Sequence, residues 1–135
     1  MLRLVIDARR ASRRFADAPG VALATPEALA RLEVADGVTP YMAEVDVDNC
    51  FYRLRIDHEL GRFFCLPPIR ASEAGVFMVR GKVVDGSDLV WPHVSILPMG
   101  FTWSLFIAQE INAAAVASSN MLPDARLLTA SGVAG

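Results

Sequence analysis

Residues 90–108 form the most apolar stretch of this 135-residue chain, but Pro92, Pro98 and Gly100 interrupt it. A helix that spans a bilayer needs about 20 apolar residues, and its backbone groups must find partners within the segment. Proline and glycine at these positions break both conditions. The stretch therefore favours a buried strand, Leu89 to Leu97, that ends at a turn and leads into a helix. We expect no membrane partner.

The segment after this turn has helical spacing. From Ser104 to about Ser118, apolar residues recur three or four positions apart, namely Leu105, Ala108, Ile111 and Ala115. Residues 120–135 are small, polar and glycine-tipped, and they show no periodicity. They are predicted to form a disordered tail, which leaves residues 1–119 as the folded domain.

The rest of the chain is divided by turn signals into short elements. Strands are predicted at residues 2–8, 41–47, 52–56 and 63–66, and a hairpin at residues 76–84 folded about Arg80-Gly81-Lys82. A short helix from Glu27 to Leu32 is predicted to begin with Thr25 as N-cap and Pro26 as first helical residue. Together these elements predict an α+β fold with a mixed, mostly antiparallel sheet, in which strands dominate over a few helices.

Positive charge is concentrated at one end of the chain. The formal net charge is −2, so there is no overall excess of positive charge to attract nucleic acid. Five arginines nevertheless lie within the first fourteen residues, at positions 3, 9, 10, 13 and 14, opposed there only by Asp7. Of the 13 basic residues only Lys82 is a lysine, which suits bidentate binding of phosphate but fits a codon bias equally well. This end could present an edge to a polyanion.

The cysteines and the N-terminus bear on the compartment. Cys50 and Cys65 are the only cysteines, and no CxxC or Cys/His cluster accompanies them, so a zinc site is not favoured. We expect free thiols in a reducing compartment. The apolar run from Leu4 to Ile6 is broken at once by Asp7 and arginines, which argues against a signal peptide. An intracellular protein of the cytoplasm or nucleus is expected, and the sequence does not indicate an oligomeric state.

The segment from Glu44 to Phe51 holds the candidate metal ligand. Asp46 follows apolar residues at the predicted end of a strand, where a carboxylate can point into a cleft, and Mg²⁺ prefers oxygen ligands of this kind. Taken alone, the segment is better explained as a strand-to-turn junction, in which Asp and Asn cap turns. His93 has no second His or Cys at ligand spacing, so it is interpreted as a hydrogen-bonded or edge histidine.

Four segments, in order, resemble motifs of reverse transcriptases. Arg3-Leu4-Val5-Ile6-Asp7-Ala8-Arg9 is similar to their fingers strand, and Asp46 to Phe51, an Asp followed five positions later by an aromatic residue, resembles their first palm motif. Arg62 to Pro67 resembles the family's apolar strand ending in proline. Leu97-Pro98-Met99-Gly100-Phe101, with Ser104 and Gln109 beyond it, resembles the next palm motif. The resemblance is to retroelement-derived polymerases and runs from about Met1 to Asn112.

The resemblance implies that residues 1–119 are a partial fingers and palm domain. Its activity would be template-directed synthesis of DNA from dNTPs on an RNA/DNA primer–template. In the family, two Mg²⁺ ions activate the primer 3′-hydroxyl and stabilise the leaving pyrophosphate. Asp46 matches the first catalytic carboxylate, a metal ligand, and the backbone carbonyl of Val47 matches a neighbouring metal ligand. A turn cap remains the alternative for Asp46.

The resemblance also implies a nucleotide site. Phe51 matches the aromatic residue that excludes a ribose 2′-hydroxyl, and a core phenylalanine is the alternative. Arg3 matches the fingers arginine that grips the triphosphate with its guanidinium fork. Asp7 and Arg9 match structural or template-facing positions, and a solvated edge strand is the alternative for Arg9.

Met99 and Gly100 match the turn beneath the nucleotide, where glycine lets the backbone approach closely. The chain departs from the family near these motifs. Met99 stands where many relatives carry a polar residue, Trp103 where smaller residues are common, and Asn49 where an acid is common. The hydrogen-bonding role of position 99 is therefore open.

The family's remaining carboxylates come from an adjacent Asp-Asp pair, and these 135 residues contain no such pair. Beyond Glu110 the only acidic residue is Asp124. One carboxylate cannot build a two-metal clamp. We therefore expect weak or absent Mg²⁺ binding and no polymerisation by this chain alone.

Two other interpretations remain open. The chain could be a non-catalytic nucleic-acid-binding module that uses its N-terminal arginines, in which case binding to an RNA–DNA duplex would weaken with salt. It could also be a small α+β domain with no nucleotide role and coincidental motifs. In that case Asp46, Phe51, Arg3 and Gly100 should lie on different faces of the structure.

Overall fold

Short helices and two-stranded antiparallel sheets make up the residues that the computed structural model describes, which are 5–44, 46–119, 127–129 and 132–134. The helices are α1 (Arg9–Ser12), α2 (Pro26–Ala30), α3 (Cys50–Arg53), α4 (His58–Gly61), α5 (Ala71–Ala74) and α6 (Ser104–Ser118), with a 3₁₀ turn at Arg62–Phe64. The strands are β1 (Ile69–Arg70), β2 (Met78–Val79), β3 (Lys82–Val83), β4 (Leu89–Val90), β5 (Leu127–Thr129) and β6 (Gly132–Ala134). The α+β class is confirmed, but helices hold more of these residues than strands do.

The sheets of the described residues are small. β1 pairs antiparallel with β4, β2 with β3, and β5 with β6, each pair forming its own two-stranded sheet. The prediction of one mixed sheet is therefore wrong for this part of the chain. Strands of two or three residues offer few cross-strand side-chain pairs, and such pairs are what stabilise a larger sheet.

The hairpin between β2 and β3, the start of helix α2 and the extent of helix α6 were predicted correctly. Arg80 and Gly81 both have positive φ, 51° and 77°, which matches the twist of a tight hairpin between β2 and β3. Thr25 caps α2, because its Oγ1 accepts a hydrogen bond from the Ala28 amide at 3.1 Å. In α6 the bounds are as expected.

The buried side of α6 differs from the predicted apolar face. Ala108 is buried, but Leu105 and Ile111 are 47% and 44% exposed. Ala115, also predicted on that face, is exposed as well. The spacing of the apolar residues thus predicted helix α6 correctly. It did not predict which side of the helix is buried.

Most of the predicted strands did not form. Residues 5–8, the described part of the first, have no regular structure before α1, and neither do residues 41–44 and 46–47. In the other predicted strands, at residues 52–56 and 63–66, the described residues show only isolated bridges to the segment at 89–97, Arg55 with Ile96 and Cys65 with His93. An alternating pattern over five residues requires a neighbouring strand to hold it, and these segments lack one over most of their length.

The chain bends where the strand at residues 52–56 was expected. Asn49 adopts the left-handed conformation, with φ 53° and ψ 39°, and stands at the N-cap of α3. Asparagine is among the few residues that adopt this conformation readily. The predicted strand therefore begins as a helical turn and becomes extended only at Leu54.

The described residues divide into two compact units. The first unit comprises residues 5–16 and 49–104. Its core contains an aromatic cluster in which Phe101 meets Phe15 and Phe64 edge-on, at 5.0 and 5.1 Å between ring centroids. Phe64 and Phe101 are buried, as is Leu97.

The second unit comprises the described residues of 17–48 and those from 105 onward. Within it, α2 contacts β5. β5 and β6 lie in the segment predicted to be a disordered tail, so six residues of that segment have paired backbone, and the others of it lie outside the described residues. No helix in the described part of the chain is long and apolar enough to cross a membrane.

Candidate functional site

The turn at Gly100 lies directly against the segment that contains Asp7. A Cβ added at Gly100 would stand 2.9 Å from the Ile6 carbonyl oxygen and 3.7 Å from the Ala8 amide nitrogen. Contacts of 2.9 Å between a Cβ and a backbone oxygen do not occur without displacement. Glycine is therefore required here, and what approaches it closely is the protein's own backbone.

Hydrogen bonds inside the turn fix its shape. Ser104 is 1% exposed, and its hydroxyl donates to the Pro98 carbonyl at 2.6 Å. The Phe101 amide donates to the same carbonyl at 3.1 Å. The Ser104 bond ties the start of α6 to the residue before Met99, and the Phe101 bond closes the turn itself.

The same turn is also anchored to the α1 region. The Thr102 amide donates to Ser12 Oγ at 3.3 Å, and the Trp103 indole Nε1 donates to the Ala16 carbonyl at 2.8 Å. Trp103, one of the positions that depart from the resemblance, thus has a structural role in this chain.

Phe51 and Met99 line one small pocket of the first unit. The pocket has a volume of about 10 Å³, and its lining is Ile6, Phe51, Tyr52, Ile96, Leu97, Pro98 and Met99. This volume is that of about one water molecule. The Phe51 side chain is more buried than that of Met99, which is 48% exposed. Residues predicted from two separate motifs therefore meet, beside the residue that precedes Asp7.

Two backbone hydrogen bonds hold the Phe51 segment beside the segment that leads to Met99. The Leu97 amide donates to the Leu54 carbonyl at 2.8 Å, and the Ile56 amide donates to the Ser95 carbonyl at 3.1 Å. The pairing sets the register between the two motifs. The predicted strands at 52–56 and 89–97 implied a longer pairing, of which these two bonds are the observed part.

Asp7 and Arg9 bind each other. Arg9 Nε and Nη2 donate to the two carboxylate oxygens of Asp7 at 2.8 and 2.7 Å, and the Arg9 amide also donates to Asp7 at 3.2 Å. The hydrogen bonds from Arg9 lower the pKa of Asp7 from 3.8 to about 2, and the carboxylate raises the pKa of Arg9. Both side chains are mostly exposed. Arg9 is thus engaged within the chain, as the first residue of α1 rather than in the edge strand considered for it.

The predicted metal ligands lie in the second unit. Asp46 and Val47 are exposed and outside any helix or strand, and Val45 lies outside the described residues. Among the described residues, no group of three or more His, Cys, Asp or Glu side chains is placed to hold a metal ion. The described residues alone therefore do not assemble a complete Mg²⁺ centre. Arg3, predicted to bind the triphosphate, lies outside the described residues.

His93 is hydrogen-bonded, as predicted. Its Nδ1 lies 3.2 Å from the Val94 carbonyl oxygen, and its ring meets that of His58 edge-on at 4.9 Å. A Cβ at Gly61 would lie 2.7 Å from this Nδ1, so α4 packs closely on the histidine. The half-buried ring is part of the packing of the first unit.

The sequence did not reveal an open cleft of about 550 Å³ in the first unit. Its lining is Arg10, Ala11, Arg14, Glu59, Arg62 and Phe63. The N-terminal arginines drew attention as a charged run, but nothing in the sequence indicated that Arg62 and Phe63, about fifty residues away, would join two of them. Only the fold brings these residues together.

No protein-family model, no curated protein and no solved structure matches this chain. Function therefore has to be inferred from the geometry of the residues themselves.

Proposed function

We propose that this chain is the fingers and palm part of a reverse-transcriptase-like polymerase, and that the turn at Met99 and Gly100 forms the floor of its nucleotide site. One observation supports this most directly. Three segments that the resemblance assigns to the nucleotide site, around Ile6, Phe51 and Met99, line one pocket although they are up to 93 positions apart. Their convergence supports the proposal.

In this proposal Phe51 selects the sugar by contact. Its ring is half-buried and rests beside a pocket with room for about one water molecule. A ribose 2′-hydroxyl pressed against such a ring would have neither space nor a hydrogen-bond partner, which is costly for a polar group. Deoxynucleotides would therefore be preferred. Gly100 contributes by letting the Ile6 carbonyl approach, which holds the fingers segment against the turn.

Asp46 is proposed as one ligand of a catalytic Mg²⁺, with the Val47 carbonyl beside it. When bound, the metal would supply charge stabilisation to a phosphoryl transfer. The 135 residues hold no Asp-Asp pair to complete such a site, so we propose that the chain alone does not polymerise. Primer extension with Mg²⁺ should give no incorporation. Incorporation that Asp46→Ala abolished would overturn this part of the proposal.

The wider biological setting belongs to the same proposal. The partners would be an RNA/DNA primer–template and dNTPs, in the cytoplasm or nucleus. Asp7 would have the structural rather than template-facing role among those that the resemblance implies, since its carboxylate is occupied by Arg9.

Photoaffinity labelling with an azido-dATP tests the nucleotide site, because it detects weak binding and reports position. We expect label on the peptide that carries Met99, more label from azido-dATP than from azido-ATP, and competition by unlabelled dNTPs. Phe51→Ala should narrow the difference between the two sugars.

Phe77→Ala is the matched control, since Phe77 is a 73% exposed phenylalanine of the same unit and should leave the preference unchanged. Equal labelling by both sugars in the unsubstituted chain, or label that excess dNTP does not displace, would remove the support for a nucleotide site.

A further inference from the structure

The open cleft of the first unit carries uncompensated positive charge. Three arginines and one glutamate line it, which leaves a formal surplus of two positive charges. Its volume of about 550 Å³ falls within the range of pockets that bind small ligands, or a segment of a larger one.

The arginines of the N-terminal region are not equivalent. Arg9 is neutralised by the two hydrogen bonds from its guanidinium to Asp7. Arg10 and Arg14 are exposed, and within the described part of the chain neither has a carboxylate at salt-bridge distance. Both line the cleft, Arg10 from α1 and Arg14 from the turn that follows it. These two are therefore available to bind a ligand.

The 3₁₀ turn at Arg62–Phe64 supplies the cleft with a third arginine and an aromatic ring. Arg62 Nη1 lies 3.0 Å from Glu59 Oε2, an exposed pair that leaves the other donors of this guanidinium unused by the glutamate. Next to it, Phe63 is 47% exposed, and Phe15 meets its ring edge-on at 4.9 Å between centroids. An exposed ring held from one side is a surface on which a planar group can stack.

From this arrangement we infer that the cleft binds a single strand of nucleic acid, with Arg10, Arg14 and Arg62 on successive phosphates and an unpaired base stacked on Phe63. Guanidinium groups beside a stacking ring are the combination that recognises single strands without regard to sequence. An anionic membrane or an acidic peptide would use the charge but not the ring. A duplex would not present its bases to the ring, because they are already stacked.

Fluorescence anisotropy of a labelled oligothymidylate with the full chain tests the inference. Three phosphate contacts on a single strand predict a slope of about −2 for log affinity against log salt, which is roughly a twentyfold loss between about 50 and 200 mM salt. Arg10→Ala, Arg14→Ala and Arg62→Ala should each weaken binding by roughly three- to tenfold and make the slope shallower by about 0.7. Oligouridylate should bind with a similar affinity and salt dependence, because the cleft contacts the phosphates and the face of a base and not the sugar.

Two further variants separate geometry from net charge. Arg13→Ala removes the same charge from the neighbouring position, which does not line the cleft, and should change affinity by less than about twofold. Glu59→Gln removes the only carboxylate of the cleft and should tighten binding by about threefold.

The ring is tested by Phe63→Leu, which keeps an apolar contact for Phe15 but loses the aromatic face. Binding should weaken by about tenfold while circular dichroism stays unchanged. A Phe63→Tyr variant, which keeps a stacking face, should retain affinity. Loss of binding in the leucine variant but not in the tyrosine variant would exclude a purely structural effect.

Four results would overturn the inference. They are equal losses from Arg13→Ala and Arg14→Ala, equal affinity for a duplex, equal binding to vesicles rich in phosphatidylserine, and absence of any binding at low salt. The proposed nucleotide site and this cleft are tested separately. Photoaffinity label on the Met99 peptide reports on the nucleotide site, whereas the affinities of the arginine and Phe63 variants for an oligonucleotide report on the cleft.

Discussion

The two units of the chain differ in how their apolar side chains are used. In the first unit Phe64, Leu97 and Phe101 are 3%, 1% and 4% exposed, and the aromatic rings pack edge-on against one another. In the described part of the second unit the buried side chains are two alanines, Ala28 and Ala108. Larger apolar residues there remain in solvent, as does Tyr41 at 93% exposure. The first unit therefore has a core, and the second has little in its described part.

The difference shows which parts of the proposed function rest on structure. The surroundings of Phe51, Met99 and Gly100 are fixed by packing and by hydrogen bonds to the α1 region and to residues 54–56. Asp46 lies in an exposed segment without regular structure, where no packing of this kind surrounds it. Packing and hydrogen bonds therefore define the positions of the residues proposed for a nucleotide site, whereas Asp46, proposed as a metal ligand, lies in an exposed segment.

The largest effect is expected from removing a ring of the aromatic cluster. Phe101→Ala should destabilise the first unit by about 3–5 kcal/mol, the usual cost of a large cavity. Tyr41→Ala, an exposed position of the second unit, should change stability by less than about 0.5 kcal/mol. Urea unfolding followed by near-ultraviolet circular dichroism measures both. A loss of several kcal/mol from Tyr41→Ala would mean that the second unit has a core of its own.

Glycines of the two units should respond oppositely to a methyl group. Gly100→Ala forces a Cβ to within 2.9 Å of the Ile6 carbonyl, and overpacking of this kind costs about 1–3 kcal/mol. Gly20→Ala, in the second unit, meets no atom within 4 Å and should stabilise by up to about 1 kcal/mol, since alanine restricts the unfolded chain. The midpoints of thermal unfolding should therefore move in opposite directions. A neutral Gly100→Ala would show that the turn and the Ile6 segment are not held together.

Serine hydroxyls offer a finer comparison. Ser104→Ala leaves the buried Pro98 carbonyl without the hydroxyl that donates to it, and should cost about 1 kcal/mol. Ser118→Ala removes an exposed bond of 3.0 Å to the Ala115 carbonyl, which water replaces, so almost no change in the free energy of unfolding is expected. Equal costs would mean that the end of α6 is buried in solution.

The sequence predicted the elements that depend on local interactions and failed for those that depend on long-range contacts. The hairpin at Arg80-Gly81, the cap at Thr25 and the extent of α6 were predicted correctly, because each depends on residues within one or two turns of chain. The strands at 41–47 and 52–56 were predicted wrongly, because alternation says nothing about whether a neighbouring strand is present.

The residues of the candidate site were predictable where they lie in one short motif, and not where distant segments meet. The motifs identified Phe51, Met99 and Gly100, and the structure brings the first two to one pocket with Ile6. The occupation of Arg9 by Asp7 could have been suspected, since the residues are two apart. The joining of Arg62 to Arg10 could not, because it depends on contacts between segments about fifty positions apart.

The smallest effect concerns pH and the Asp7–Arg9 pair. Since the folded pKa of Asp7 is lowered from 3.8 to about 2, the pair contributes its stability above pH 4 and loses it as the pH falls toward 2. Both side chains are exposed, so unfolding should move little, and carboxyl-carbon NMR titration of Asp7 is the better measurement. Arg9→Ala should return the Asp7 pKa toward 3.8, because the hydrogen bonds from that guanidinium are the largest cause of the shift. Arg13→Ala should leave it low. If the Asp7 pKa stayed near 2 without Arg9, another group of the chain would be holding the carboxylate, and Arg9 would be free to join the arginines of the cleft.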